Sequence, residues 1–230
     1  DIIGFLKFVR SYPGKYIGND WKMAEVFATW VINNAPLNPE EVLEYLVENE
    51  KLPLKQKAYL DQYKQTIIKD EFLRNWVGKA YSASERGNDV LANQILALTE
   101  KAGLMLNDTL GLAFYNYIRS QIAQDKEQYT KAIPYADKAI SLFKSANNYE
   151  FYFQTKLKRF YQERMSLNFV AIEKTNEELK SDFKLYGSKL DKDLHQFLKG
   201  RALSYYGHAL NKKGDLNQAK VAFKEASQEF

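Results

Sequence analysis

Residues 200–230 read GRALSYYGHALNKKGDLNQAKVAFKEASQEF. Small side chains fall at Gly207, Gly214, Ala219 and Ala226, and bulky ones at Leu203, Leu210 and Phe223. With Gly200 as position 1, Leu203 is position 4, Gly207 is 8, Gly214 is 15, Ala219 is 20, Phe223 is 24 and Ala226 is 27. Two antiparallel helices approach closely only where one offers a gap for the other's knob. Gly207 and Ala219 supply the gap, Phe223 and Leu203 the knobs, and Gly214 the turn between the helices.

The same spacing recurs upstream. Trp76, Ala80, Ala83, Gly87, Ala92 and Leu96 occupy positions 4, 8, 11, 15, 20 and 24 of an earlier unit, which Gly103 is expected to end. In YTKAIPYADKAISL, from Tyr129, Ala132 falls at position 20, Ala136 at 24 and Ala139 at 27. Pro134 lies within the first two turns of that helix, where proline is better tolerated than mid-helix. Asp108 caps a helix through Gln124, Tyr149–Met165 and Asn168–Leu185 make a weaker pair with Ala171 at position 20, and Asp191–Leu210 leads into the closing unit.

These residues resemble the tetratricopeptide repeat, a helix–turn–helix unit that stacks into a solenoid. The anchors Ala92, Ala132, Ala171 and Ala219 are about forty to fifty residues apart, longer than the usual ~34. Each unit therefore has longer helices or links than the consensus. No stretch alternates with period two long enough for a strand. The expected fold is all-α, a right-handed solenoid of antiparallel helix pairs over residues 71–230.

Residues 1–70 are expected to form an N-terminal helical segment without a clear repeat. Ile2–Arg10 carries an apolar stripe, Asp20–Asn33 a second helix, and Leu54–Ile68 another. Asn38, Pro39 and Glu41 form a helix-start signal before VLEYLVEN. The order of FLKFVRSYP, a helix, EVLEYLVENEKL and then long repeats is similar to the peptide-pheromone receptors of Gram-positive bacteria and their phages. That resemblance implies the sensor part of a regulator that answers a short secreted peptide.

Composition narrows the classes. The chain has 230 residues, a formal net charge of +4 and no cysteine, which rules out disulfides and thiolate metal sites. A charge so mild does not announce nucleic acid, and no apolar run nears the ~18 residues of a membrane span. Sixteen Tyr and fourteen Phe make the chain aromatic-rich. His195 and His208 are too far apart in sequence to ligate a metal from one helix turn, and no nucleophile sits beside a base. No enzymatic activity, metal or cofactor is expected, and the location is read as cytoplasmic. Asn107-Asp108-Thr109 fits a glycosylation sequon, but Asp108 already has a capping role.

In the repeat family the first helix of each unit lines the concave face. Carried over by position, this gives Arg74 and Tyr81 in the first unit, Tyr117 and Gln121 in the second, Lys156, Phe160 and Arg164 in the third, and Arg201, His208 and Asn211 in the last. Amides can bond a peptide backbone, aromatics can bury its side chains, and Arg or Lys can hold a carboxylate. The expected partner is a short peptide or, alternatively, a protein docked on a scaffold, with a homodimer as a further possibility. The run Tyr149, Phe151, Tyr152, Phe153 has too many faces for one seam and is expected at a repeat junction, in the groove or at a subunit contact. Lys156, Lys158, Arg159 and Arg164 read as a solvated helix face.

Overall fold

The structure is a computed structural model that describes residues 72–229. They belong to one compact unit, Ile68–Phe230. The helices expected before Phe72 lie outside the described residues. Among the described residues there are eight α-helices and no strand: α1 (Phe72–Glu85), α2 (Asp89–Leu106), α3 (Thr109–Asp125), α4 (Tyr129–Ser145), α5 (Tyr149–Met165), α6 (Phe169–Tyr186), α7 (Lys192–Lys213) and α8 (Leu216–Glu229). The fold is all-α. None of these helices is long and apolar enough to cross a membrane.

The repeating positions behave as packing anchors. Trp76, Ala80, Ala83, Ala92 and Leu96 are buried, as are Ala132, Ala136, Ala139, Ala219 and Ala226. A Cβ added to Gly207 would lie 2.9 Å from the Phe223 ring, so Phe223 packs onto the missing side chain. Consecutive helices pack against each other, and alternate ones also meet, α1 with α3 and α5 with α7.

Six links of two or three residues share one device. Each holds one residue in the left-handed region: Gly87, Asn107, Glu127, Asn147, Leu167 or Gly214. The next residue starts the following helix. Asn88, Asp108, Asn148 and Asn168 each accept a hydrogen bond from a backbone N–H three residues on. These bonds satisfy a donor that the helix itself leaves over. The exception is the link from α6 to α7, a 3-10 turn at Gly187–Lys189 with Asp191 as the cap.

Three expectations need correction. Gly103 does not end a unit; it lies inside α2, buried where an added Cβ would strike Leu112, and Asn107 makes the turn. Ala171 is only half-buried, and Ile172 takes the buried place in α6. The helix at 191 runs on to Lys213 because Gly214, with φ 90°, stops it. The aromatic run divides among neighbours at the start of α5. Phe151 meets Phe114 and Tyr117 of α3 and Phe143 of α4, while Phe153 stacks on Phe183 of α6 with centroids 4.5 Å apart. Tyr149 stacks on Tyr186. The run is therefore a junction between successive helix pairs.

Candidate functional site

The odd-numbered helices are also joined by side chains. From α1, the Tyr81 hydroxyl donates to Asp125 Oδ2 of α3 at 3.0 Å. Gln121 Nε2 donates to the other Asp125 oxygen at 2.6 Å. Gln121 Oε1 accepts from Lys158 Nζ of α5. That ammonium lies 3.4 Å from the centroid of the Tyr117 ring. One turn along, Gln162 Nε2 of α5 donates to Ser120 Oγ at 2.8 Å and to Gln124 Oε1 at 3.1 Å, both on α3. Predicted Tyr81, Tyr117 and Gln121 thus meet in one network, with Asp125 and Lys158 completing it.

Electrostatics follow from burial. Burial, aided by the Asp125 carboxylate, pushes the Tyr81 hydroxyl up to about 12. Burial raises Tyr117 as well. Lys158 is brought down to about 7 by burial, which the Asp125 charge only partly opposes. It makes no ion pair with a carboxylate among the described residues. The cation is held instead by an amide oxygen and an aromatic face.

A second cluster joins α5 to α7. The Arg164 guanidinium carbon lies 5.0 Å from the Tyr161 ring and 5.5 Å from the Tyr205 ring. Arg201 lies 5.4 Å from the same Tyr205 ring and donates to its hydroxyl. Predicted Arg164 and Arg201 therefore converge on one tyrosine. Neither pairs with a carboxylate among the described residues.

The other candidates go elsewhere. Arg74 is exposed and stacks on Phe114 at 4.7 Å and on Phe151 at 5.4 Å. His208 is exposed and meets the edge of Phe223, and Asn211 is exposed near the end of α7. Neither joins the two clusters.

Two groove assignments are corrected. Phe160 is fully buried, and Lys156 is buried against Asp182 and, at 3.4 Å, Glu178 of α6. Tyr152 also donates to Asp182, at 2.7 Å, and burial followed by that carboxylate pushes the tyrosine far up. Arg159, read as solvated, instead bridges Asp137, Glu163 and Glu178 at 2.9, 3.1 and 3.6 Å. Burial raises Glu163 despite Arg159 beside it.

Lys158, Tyr161, Gln162 and Tyr205 were missed as site residues. Their signal was helical spacing: Gln162 follows Lys158 by one turn, and Tyr205 follows Arg201 by one turn. No group of three or more His, Asp or Glu side chains among the described residues is placed to hold a metal. Scans of family models, curated proteins and solved structures find no match to the chain.

Proposed function

We propose that the chain is a peptide-binding helical-repeat domain, a tetratricopeptide-like solenoid that serves as the sensor part of a peptide-responsive regulator. The carrying observation is the succession of polar and aromatic side chains linking α1 to α3, α3 to α5 and α5 to α7. An extended peptide needs such a row: amides for its backbone, rings for its side chains and charges for its ends. Gln121 and Gln124 supply the amides, Tyr81, Tyr117 and Tyr161 the rings, and Lys158, Arg164 and Arg201 the positive charge, while the fully buried Gln162 braces Gln124 from behind. In a stack that touches only its neighbours, a ligand spanning several pairs shifts their relative angles by small increments that add up. Such a ligand changes an attached effector or a dimer contact only through unequal affinity for the two forms.

The test is selection of random peptides of about five to ten residues on the full chain, followed by calorimetry of those enriched. Binding at micromolar affinity or better, about 8 kcal/mol, is expected. Gln121→Ala and Gln124→Ala should weaken it. A pool from which nothing is enriched overturns the reading.

Docking of a folded protein is the second reading, and one observation favours it. Val90 and Leu91, Met165, Leu167 and Val170, and Leu216 are exposed at or beside the links inside three helix pairs. Substituting Val90 and Val170 with Ser would leave peptide affinity unchanged and abolish protein docking.

A further inference from the structure

We infer that the Arg164–Tyr205–Arg201 cluster is the anchor for a carboxylate of the bound peptide; this rests on the peptide-binding reading. Two cations here converge on one neutral ring. Among the described residues, neither finds an acidic partner. Elsewhere on the same helix the cations are handled differently. Lys156 is matched to Asp182 and Glu178, and Arg159 to Asp137, Glu163 and Glu178. Lys158 is held by Gln121 Oε1 and the Tyr117 ring, whereas Arg164, one turn after Phe160 and beside Glu163, has neither a carboxylate nor an amide oxygen among the described residues.

Arg164 is half-buried, and its Nε is shut off from water with no acceptor. The rings of Tyr161 and Tyr205 hold it in place, with Met165 Sδ 4.0 Å from Nη2. A guanidinium with one donor cut off from water and no anion beside it is costly, and an incoming carboxylate offsets that cost. The planar fork suits a carboxylate in particular, since two parallel N–H bonds fix its orientation. Arg201 is exposed, so it is free to close on the anion from the far side of the same tyrosine. Its only described polar contact is the neutral Tyr205 hydroxyl.

Charge complementarity therefore names the occupant, the carboxylate at a peptide's C-terminus or on an Asp or Glu side chain. The two sources are distinguished by the probes. Random octapeptide pools are selected on the full chain in four forms: free acid or C-terminal amide, each with or without Asp and Glu. If the C-terminus is the anchor, amidation removes enrichment in both compositions. If a side chain is the anchor, the amidated pool keeps its enrichment only when Asp and Glu are present.

Affinities of enriched peptides are then measured on Arg164→Gln, Arg164→Lys and Arg201→Gln, with circular dichroism and melting temperature as folding controls. Arg164→Gln is expected to lose about tenfold or more for the acid form and nothing for the matched peptide lacking the carboxylate. Arg164→Lys keeps the charge but not the fork and recovers only part. Enriched peptides that bind equally with and without a carboxylate, or equally to Arg164→Gln, overturn the anchor and leave the peptide-binding reading standing. Pools that yield no binder at all overturn both.

Discussion

At the scale of single residues, the most consequential side chain is Lys158. Burial holds its folded-state value near 7, against 10.5 for an ordinary lysine. Between these values the unfolded chain binds the larger share of a proton, so stability rises with pH across the window. Burial lowers Lys79 too, and it works in the same direction. Tyr81 and Tyr115, both held near 12 chiefly by burial, reverse the trend above about pH 10, where unfolded tyrosines lose their protons first. The urea midpoint should therefore climb from pH 7 to about 10 and fall beyond. Lys158→Met should raise the midpoint at pH 7 and flatten most of the climb, leaving the share due to Lys79. A midpoint equally steep with pH in Lys158→Met would place the titration elsewhere.

At the scale of helices and links, the chain repeats a two-residue instruction: one left-handed residue, then, in all of the six links but the one at Gln128, a side chain that caps the next helix. Where the left-handed residue is Gly87 or Gly214, the turn is readable in the sequence, because only glycine enters that region without a steric cost. Where it is Glu127 or Leu167, nothing in the residue type gives it away. Leu167 carries a branched side chain through φ 55° and is 53 % exposed, so it pays strain and recovers little burial. Leu167→Gly should therefore stabilise the chain by about 1 kcal/mol, read from urea unfolding. Asn148→Ala, which removes a cap from the Phe151 N–H, should cost about the same. The difference between glycine and leucine turns also explains how much of the molecule could be read. Pairs whose gaps are alanine or glycine, at Ala92, Ala132 and Gly207, declared themselves. The third pair seats Ile172 where the others seat a small residue, so positions carried over from the consensus pointed Lys156 and Phe160 outward. In the structure that side of α5 packs inward, and Lys158, two residues after Lys156 and half-buried, reaches Gln121 of α3 instead. A buried cation is invisible in a sequence because its signature is the company of Asp182 and Glu178, which lie on another helix.

At the scale of the whole described unit, the apolar contacts are unevenly shared. One cluster runs through buried residues from Val77 of α1 to Ala209 of α7, and it includes large side chains such as Phe143, Phe153 and Phe160. A second, separate cluster holds α8 and consists of Leu210, Ala219 and Ala222, with Tyr206 and Phe223 packed against it. Two of its three buried members are alanines, which bury little area and contribute correspondingly little. α5 is the opposite case, with buried residues on several faces from Tyr152 to Glu163. Local opening free energy follows such differences, since a segment with few buried apolar contacts separates without disturbing the rest. Under native conditions, amides of residues 219–229 should exchange with deuterium well ahead of those of residues 152–163. Adding a selected peptide should slow exchange in α5 and α7, where Arg164 and Arg201 stand, and leave α8 nearly unchanged. If α8 and α5 instead exchange together at every time point, the unit opens as a single cooperative block, and the small C-terminal cluster is coupled to the main one through Tyr206, which packs against both.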